Sequence, residues 1–395
     1  NRGTASMKIG IDKYNFYIPK QYIEMRDLAE ARQTDPNKYL LGLGQDQQAF
    51  APLSQDTVSM AANAAAGILT DQDKEAIDLV ILATESGIDQ SKAGAIYIHH
   101  LLGINPKARC IEVKEACYGG TFALQTAVNH IAKRPQAKAL VLTSDIARYG
   151  LNTAGEATQG AGAVALLITA NPRILSVNDD ATYYTIDVMD FWRPNYSRLA
   201  HVDGHYSNDQ YLNALDQVWD DHQALSGHQL DDFAAFCFHL PYTKLGLKGL
   251  KHLTQKAKDE PLGKWEESFE ASRAYNRRVG NIYTGSLYLS LISLLENDTS
   301  LKAGDLIGLY SYGSGAMAEF FSMNLEANYQ DYLEGDKHRQ QFAERQKLSI
   351  PEYEALFQED LLSDGSQQSI PAHEDQDDYR LLGLKDHKRI YGKGK

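Results

Sequence analysis

Cys117 is the residue whose type and position most directly indicate chemistry. It precedes an apolar segment of helical period that opens with Gly119 and Gly120. Unpaired N–H groups at a helix N-terminus favour a thiolate and can hold an oxyanion during acyl transfer. We therefore expect Cys117 to be a nucleophile. Cys110 and Cys237 lie in apolar runs and are expected to be structural, since free cysteine is among the most buried residue types.

Three further polar residues lie at the ends of predicted elements. Glu85 and His239 each follow a buried type of strand, and Asn281 precedes an apolar helix as Cys117 does. Taken singly, each is more typical of a solvated loop or a packed core position than of a catalytic site. Together they occupy equivalent places in two similar halves of the chain, so a pseudo-twofold axis would bring them close to Cys117.

The elements that position these residues occur twice in the same order, which predicts a duplicated α/β fold. We expect an N-terminal half over residues 7–172, a C-terminal half over 173–395, and a polar, helical outer tail from about 326. Residues 1–6 precede the first methionine and are expected to be an expression remnant. The paired segments are 9–16 with 184–191, 79–83 with 233–238, 117–124 with 281–288, and the glycine turns 160–162 with 313–315.

Composition excludes several classes of protein. The net charge of -13 argues against a nucleic-acid binder, and no apolar run approaches the length of a membrane span. Three cysteines and no signal-peptide pattern indicate a cytoplasmic protein with reduced thiols.

A local basic patch is predicted soon after His239. Lys244, Lys248 and Lys251 share one face if residues 242–253 are helical, and they could bind an anionic ligand or form an ordinary solvated face. No metal is expected, because the histidine pairs 99–100 and 201–205 lack a recognisable ligand spacing. Glycine-rich nucleotide-binding patterns are absent as well.

With these residues in view, the sequence resembles the 3-hydroxy-3-methylglutaryl-CoA (HMG-CoA) synthases of the thiolase superfamily, in a bacterial form, over nearly its whole length. The two most specific segments are Glu-Ala-Cys-Tyr-Gly-Gly-Thr at 115–121 and Phe-His-Leu-Pro-Tyr-Thr-Lys at 238–244. Shorter matches are Gly-Leu-Gly-Gln at 42–45, Ser-Asp-Ile-Ala at 144–147, Asp-Phe-Trp-Arg-Pro at 190–194, Val-Asp-Gly at 202–204, Gly-Asn-Ile-Tyr-Thr at 280–284 and Tyr-Ser-Tyr-Gly-Ser-Gly at 310–315.

The resemblance implies two βαβαβαββ halves in a five-layered αβαβα arrangement, a thiolase-like fold, and a homodimer. It implies a transferase of the mevalonate route to isoprenoids. Such enzymes condense acetyl-CoA with acetoacetyl-CoA and water to give HMG-CoA and CoA, by a ping-pong, Claisen-type reaction. The CoA thioesters are substrates, and no separate cofactor is implied.

By the same resemblance, Cys117 carries the acetyl group, Glu85 is the general base, and His239 binds and protonates the acetoacetyl group. Positions implied to contact the acyl groups, product or CoA are Asn281, Ser311, Thr158, Ser207, Lys244, Lys248, Asp35 and Pro36. One departure concerns residues 154–157, which read Ala-Gly-Glu-Ala where some relatives have Asn-Ala-Arg-Pro.

Two alternatives stay open at the level of sequence. A ketoacyl synthase of the same superfamily would use Cys117, His239 and Asn281, but decarboxylation would generate its carbanion and it would not need Glu85 as a base. A non-catalytic acyl-CoA-binding protein on this fold would not need the complete set of Glu85, Cys117 and His239.

Overall fold

A computed structural model describes residues 7–394, so the predicted remnant at residues 1–6 lies outside the described residues. The strands are β1 Ile9–Tyr17, β2 Gln21–Glu24, β3 Gln47–Phe50, β4 Ile77–Ala83, β5 Arg109–Val113, β6 Lys138–Ala147, β7 Gly160–Ala170, β8 Leu175–Val177, β9 Thr182–Thr185, β10 Phe191–Trp192, β11 His201–Val202, β12 Phe233–Phe238, β13 Leu306–Gly313, β14 Met317–Leu325, β15 Gln346–Lys347, β16 Gln368–Ser369, β17 Tyr379–Lys385 and β18 Lys388–Lys393.

The α-helices are α1 Met25–Ala31, α2 Asn37–Leu40, α3 Thr57–Ala66, α4 Asp71–Ala76, α5 Gly94–Leu102, α6 Gly119–Lys133, α7 Gly204–Ser226, α8 Thr243–Leu253, α9 Glu266–Arg273, α10 Asn276–Val279, α11 Ser286–Asn297, α12 Gly335–Ala343 and α13 Ile350–Phe357. None of the helices in the described part of the chain is both long and apolar enough to cross a membrane.

A ten-stranded sheet carries the duplication. Its order is β12-β13-β14-β8-β1-β7-β6-β4-β5, with β9 also paired to β14. In the N-terminal half β4 and β6 are parallel, and β6, β7 and β1 continue antiparallel. In the C-terminal half β12 and β13 are parallel, and β14 then pairs antiparallel with both β8 and β9. The place that β1 holds in the first half is thus shared by two short strands in the second.

Helices and strands alternate in five layers, αβαβα, as the fold prediction requires. Along β4, Ile81 packs with the central helices α6 and α11, whereas Leu82 packs with the outer helices α3 and α5. Along β12, Cys237 faces the same central layer and Phe238 faces the outer helices α7 and α8. Since both faces of these strands are covered, their sequences are almost continuously apolar. The α/β class and the layered arrangement are confirmed.

Two local predictions differ from the structure. Residues 160–162, expected as a glycine turn, are the first residues of β7. Glycine is needed at 160 because the strand lies against the backbone of Asn281, where a Cβ would come within 2.6 Å of a carbonyl oxygen. The tail is helical only in α12 and α13 and ends in the antiparallel strands β16, β17 and β18. Alternating exposed and half-buried residues along β18 are the pattern of an edge strand, not of a helix.

The tail is anchored in the body of the protein. His338 of α12 is fully buried and bonds Glu296 of α11 at 2.8 Å and Asn15 of β1 at 2.7 Å. Near the other end, Asp375 accepts hydrogen bonds from Ser54 and Gln55 at 2.7 and 2.8 Å. The tail therefore completes the packing around β1 and α3 and does not merely cover the outside.

Candidate active site

The Cys117 loop joins β5 to α6. Helix α6 begins at Gly119, so Cys117 lies two residues before the helix, not in its first turn. The N–H of Tyr118 bonds the carbonyl of Glu115 at 2.9 Å, and Ala116 between them has a left-handed φ of 42°. A residue other than glycine costs energy in this conformation and holds it only when its surroundings enforce it. The loop is therefore held in one shape around the thiol.

Two segments of the C-terminal half pack closely against the Cys117 loop and the first turn of α6. A Cβ on Gly120 would lie 2.6 Å from the carbonyl oxygen of Thr284, in the loop that carries Asn281. A Cβ on Gly313 would lie 2.7 Å from the carbonyl oxygen of Glu115. Only glycine permits these approaches, because any side chain would separate the loops. The pseudo-twofold arrangement predicted from the sequence thus brings the Asn281 loop against the start of α6.

The thiol of Cys117 differs from the expectation that a helix N-terminus would favour its thiolate. Burial raises the pKa of Cys117 well above its usual value, and the charges of Glu85, Asp145, Glu115 and Asp190 raise it further. Four carboxyl groups outweigh the dipole of a helix that starts two residues away. The thiol is therefore protonated at neutral pH, and it needs a proton acceptor when it attacks.

Glu85 follows β4, and among the carboxyl groups it contributes most to the raised pKa of the Cys117 thiol. Its side chain is buried, and burial together with Asp145 raises its pKa to about 8, against smaller lowering effects of Arg193 and Lys114. A carboxyl group whose pKa lies near neutrality can both accept and return a proton. This is the property that the sequence-based role for Glu85 requires.

Asp145 on β6 fixes the backbone at Glu85. Its Oδ1 accepts from the N–H of Glu85 at 2.8 Å, from the hydroxyls of Thr84 and Ser86 at 2.8 and 2.7 Å, and from the N–H of Ser86 at 3.1 Å. Its Oδ2 accepts from the N–H and hydroxyl of Thr284 at 3.0 and 2.5 Å. One buried carboxylate thereby joins the Glu85 turn to the Asn281 loop. Sequence reasoning noted the segment but gave Asp145 no role.

Arg193 is a second residue that sequence reasoning did not assign. It lies just after β10, in an irregular segment, and its guanidinium donates to the carbonyl of Glu85 and lies 3.5 Å from Oε2 of the same residue. On the other side of β10 lies Asp190, whose buried carboxylate accepts from the hydroxyl of Tyr312 at 2.6 Å and the N–H of Gly315 at 2.8 Å. A cavity of about 410 Å³ lies between this segment and Glu85.

His239 follows β12 as predicted and is buried. Its backbone N–H donates to the carbonyl of Tyr310 at 2.9 Å, and its backbone carbonyl accepts from the hydroxyl of Tyr211 at 2.9 Å. Its Nδ1 has no hydrogen-bond partner within the described residues, and burial lowers the pKa of the imidazole to about 3. The ring is therefore neutral at pH 7, and its N–H can donate a hydrogen bond to a developing alkoxide.

Asn281 and Ser311 connect the two halves around the Cys117 loop. The Oδ1 of Asn281 accepts from the N–H of Tyr283 at 2.9 Å and the hydroxyl of Ser286 at 3.0 Å, which fixes the orientation of the amide. Ser311 lies in β13, beside the strand that ends before His239, and its hydroxyl accepts from Thr121 of α6 at 2.7 Å.

A second group of predicted binding residues lies along one rim. The start of α8 is joined to residues 43–45, because the N–H of Lys244 bonds the carbonyl of Leu43 at 3.0 Å. Lys248 is exposed on the same helix, and burial together with Arg273, Lys251 and Lys248 lowers the pKa of Lys244. The predicted positive patch is thus present as a cluster of mutually repelling cations.

A cavity of about 500 Å³ lies next to this rim, between residues 32–43 and 152–157. Asp35 and Pro36 lie within the first of these segments, where Asp35 accepts from the N–H of Asn37 at 3.0 Å. Thr158 follows the second, and its carbonyl accepts from the N–H of Asn281 at 3.4 Å. Ser207 lies on α7 and donates to Asp190 at 3.2 Å, away from this cavity.

Residues 154–157, where the sequence departs from some relatives, are held in place by the contacts of Glu156. Glu156 is buried and pairs with Arg32 of the facing segment at 2.7 Å. Its other oxygen accepts from the hydroxyl of Tyr353 in α13 at 2.9 Å. An ion pair that is also hydrogen-bonded to the tail holds the loop in place.

Comparison with known proteins agrees with this geometry. Residues 5–173 match the family described as Hydroxymethylglutaryl-coenzyme A synthase N terminal, and residues 178–261 and 251–363 match its C-terminal counterpart. A hydroxymethylglutaryl-CoA synthase of Enterococcus faecalis is 51% identical over 98% of this chain and 100% of its own length. A polyketide biosynthesis 3-hydroxy-3-methylglutaryl-ACP synthase of Bacillus subtilis is 33% identical over 88% of this chain and 87% of its own.

Solved structures agree as well. An HMG-CoA synthase complexed with CoA superposes with a TM-score of 0.93 at 48% identity, covering 98% of this chain and 100% of the other. A complex with 3-hydroxy-3-methylglutaryl coenzyme A superposes with a TM-score of 0.89 at 35% identity, covering 99% and 100%.

A thiol before a central helix, a buried carboxyl group of raised pKa and a neutral buried imidazole, held on duplicated α/β halves, are the features of a condensing enzyme with a thiolase-like fold. The chain belongs to the hydroxymethylglutaryl-CoA synthase family. The sequence-based assignment of family, fold and enzymatic function is confirmed.

The contact between Arg193 and Glu85 predicts a shift in pH dependence. A general base acts when it is deprotonated, so HMG-CoA formation should rise with pH through the pKa of Glu85, which is about 8. Arg193→Gln removes a cation that lowers this pKa, so the rise should move to higher pH and the rate at pH 7 should fall by about threefold or more. Rates of HMG-CoA formation measured from pH 6 to pH 10 test this.

Arg198→Gln is the matched control, since Arg198 lies nearby but pairs with exposed Asp360. The control should keep the wild-type profile. A profile that is identical in Arg193→Gln and the wild type would contradict the electrostatic role of Arg193.

Proposed function

We propose that this enzyme makes HMG-CoA from acetyl-CoA, acetoacetyl-CoA and water, with Cys117, Glu85 and His239 as the catalytic residues. The observation that carries the proposal is the coupling of Glu85 to Cys117, in which a carboxyl group with a pKa of about 8 acts on a protonated thiol. The reaction as written balances without oxidant, reductant or metal, so we propose that it requires no small molecules besides the CoA thioesters and water.

In the first half-reaction, the sulfur of Cys117 attacks the carbonyl carbon of acetyl-CoA and CoA leaves as the thiol. The proton of Cys117 passes to the leaving group, with Glu85 as the carrier. The acetyl group stays a thioester, whose methyl protons are more acidic than those of an oxygen ester. Backbone N–H groups at the start of α6 are suited to hold the carbonyl oxygen, a contribution of about 3–4 kcal/mol per donor in oxyanion holes.

In the second half-reaction, Glu85 removes a proton from the methyl group, and the carbanion attacks the ketone carbon of acetoacetyl-CoA. His239 is neutral, so its ring N–H donates a hydrogen bond to the new alkoxide and passes its proton to it, while the ring regains a proton from Glu85, which holds the one taken from the methyl group. Water finally cleaves the bond between the acyl group and Cys117. HMG-CoA leaves, and the thiol regains its proton.

We propose that CoA lies along the rim formed by residues 35–43, residues 152–158 and the start of α8. Lys244 and Lys248 supply the positive charge that the phosphates of CoA need on an acidic protein. Asp35, Pro36 and Thr158 flank the cavity of about 500 Å³ in this region. Asn281, Ser311 and Ser207 are proposed to contact the acyl groups or the product from the central side.

We also propose a homodimer that forms through β5. This strand is at the end of the ten-stranded sheet, and it leaves Ile111 50% exposed. Phe122 of α6 is equally exposed beside it. An exposed sheet edge with apolar side chains is suited to pair with a second copy of itself about a twofold axis.

We place the enzyme in the cytoplasm. A free thiol at Cys117 is required for acyl transfer, and the three cysteines are all unpaired. Reducing compartments keep such thiols intact.

The acyl-enzyme is tested by mass spectrometry after incubation with acetyl-CoA alone. The wild type should carry one acetyl group on the Cys117 peptide, Glu85→Ala should acquire the same group more slowly because its thiol has lost the proton carrier, and Cys117→Ala should carry none. On addition of acetoacetyl-CoA, the wild type should release HMG-CoA and Glu85→Ala should not. Cys110→Ala is the control and should behave as the wild type.

Three results would contradict the proposal. Normal HMG-CoA formation by Glu85→Ala would remove its role as base, and condensation of malonyl groups would indicate a ketoacyl synthase. Equal turnover of the same acyl groups on CoA and on an acyl carrier protein would contradict the choice of CoA thioesters as the substrates.

The lysine cluster predicts a defect in binding. Lys244→Gln combined with Lys248→Gln should raise the KM for both CoA thioesters by about tenfold while kcat changes less than about twofold, because the two cations contact CoA and not the reacting atoms. Steady-state kinetics measure both constants. Lys302→Gln combined with Lys388→Gln removes the same charge from exposed remote positions and should leave KM unchanged. A fall in kcat at constant KM would contradict the proposed contact.

The dimer is tested by analytical ultracentrifugation. Ile111→Lys should convert the wild-type dimer to a monomer of 44.0 kDa, because two lysines would oppose each other across the twofold axis. Ile390→Lys alters a comparably exposed residue of β18, which is 43% exposed, and should leave the dimer intact. A monomeric wild type, or a dimeric Ile111→Lys, would contradict the proposal.

A further inference from the structure

Three potential metal ligands meet on the outer side of the C-terminal half. Asp180 lies between β8 and β9, His222 lies near the end of α7, and His228 lies in the segment that follows this helix. The Nε2 of His222 is 3.0 Å from the Nδ1 of His228, and the Oδ2 of Asp180 is 3.9 Å from each of these nitrogens.

The three donor atoms surround a common point. Atoms separated by 3.0, 3.9 and 3.9 Å lie on a circle with a radius of about 2.1 Å. That radius falls within the lengths of bonds from Zn²⁺ to imidazole nitrogen and carboxylate oxygen, roughly 2.0–2.2 Å. A cation at or near the centre would therefore contact all three atoms without a change in the backbone.

The hydrogen bonds around the cluster prepare the ligands. The Nδ1 of His222 lies 3.0 Å from the backbone carbonyl of Asp180, which can only accept, so Nδ1 carries the hydrogen and Nε2 presents its lone pair to the centre. This outer contact is typical of histidines that bind metals. Asp180 is oriented by Ser322, whose N–H donates to Oδ1 at 3.0 Å and whose hydroxyl donates to Oδ2.

The surroundings are dry on one side and open on the other. His222 is fully buried and lies against the rings of Trp219, Phe233 and Phe320. The side chain of His228 is 28% exposed, which leaves a path for an ion and for a water ligand.

We propose that Asp180, His222 and His228 bind a divalent transition-metal ion, with Zn²⁺ as the best fit and water completing its coordination. Two imidazoles and one carboxylate suit Zn²⁺, Ni²⁺ or Co²⁺ better than Mg²⁺ or Ca²⁺, which prefer oxygen ligands. The sequence analysis expected no metal, because it examined the histidine pairs at 99–100 and 201–205. Asp180 lies 42 residues before His222 and comes close to it only through the fold.

The site is separate from the catalytic centre. Phe233, which contacts both histidines, is the first residue of β12, whereas His239 follows the last residue of that strand. A bound ion would join the end of α7 to the segment before β9. Its effect is therefore expected on the stability of the C-terminal half and not on the chemistry at Cys117.

The test uses the full chain freed of metal with a chelator and titrated with ZnCl₂ by calorimetry. The wild type should bind one Zn²⁺ per chain at this site with a micromolar or lower Kd, and its Tm should rise when Zn²⁺ is added. His228→Ala should weaken this binding by about 100-fold or more and abolish the rise in Tm. His228 is partly exposed, so its replacement is compatible with folding.

His252→Ala is the matched control, because His252 lies on the neighbouring α8 and pairs only with exposed Asp216 at 2.8 Å. It should bind Zn²⁺ as the wild type does. The titrations are repeated in a Cys117→Ala background to remove a competing thiol, and X-ray absorption of the Zn²⁺ complex should show only nitrogen and oxygen ligands. Equal affinity of the His228→Ala and His252→Ala proteins, or no saturable binding by the parent, would overturn the proposal.

Discussion

The site depends on one buried carboxylate, that of Asp145, which receives hydrogen bonds from both halves of the duplicated chain. An ion of this kind loses several kcal/mol of hydration on burial, and charge-assisted hydrogen bonds return roughly 1.5–3 kcal/mol each. Asp145 is therefore stable only while Thr84, Glu85, Ser86 and Thr284 all keep their places. The turn that carries Glu85 and the loop that carries Asn281 cannot move independently, and this coupling defines the geometry between the halves.

The same carboxylate sets the electrostatics of the centre. Burial and the charge of Asp145 raise the pKa of Glu85, and Glu85 in turn helps to keep the thiol of Cys117 protonated. The centre thus disfavours a permanent thiolate at Cys117 and favours proton transfer between Cys117 and Glu85. Apart from Arg193 and Lys114, which act on Glu85, positive charge lies at the rim, on Lys244 and Lys248, where the phosphates of a CoA thioester would be. Chemistry and anion binding are separated in space, although the protein as a whole is acidic.

Sequence reasoning singled out Glu85, Cys117 and His239 as candidates because each lies next to the start or end of a regular element, and regular elements leave a period in the sequence. It gave no role to Asp145 or Arg193. Asp145 lies inside β6 and acts through contacts with residues up to 139 positions away, and Arg193 lies in an irregular segment without any period. The direction of the Cys117 pKa was also wrong, since it depends on carboxyl groups that only the fold assembles. The terminal sheet was missed because charged residues obscure the alternation along β18.

The attachment of the tail has a consequence for how the chain is made. Asp56, which caps helix α3 early in the sequence, also accepts from Arg389 at 2.7 Å and from Tyr391 at 2.5 Å, both in the last strand. Tyr17 of β1 likewise donates to Asp378 at 2.9 Å. During synthesis on the ribosome, the N-terminal half emerges first but lacks these partners until residues 378–391 are added. Contacts of such long sequence separation form late and slowly. The first half made is therefore among the last to be completed, and the groups that Asp56 and Tyr17 bond in the finished protein are missing in the interval.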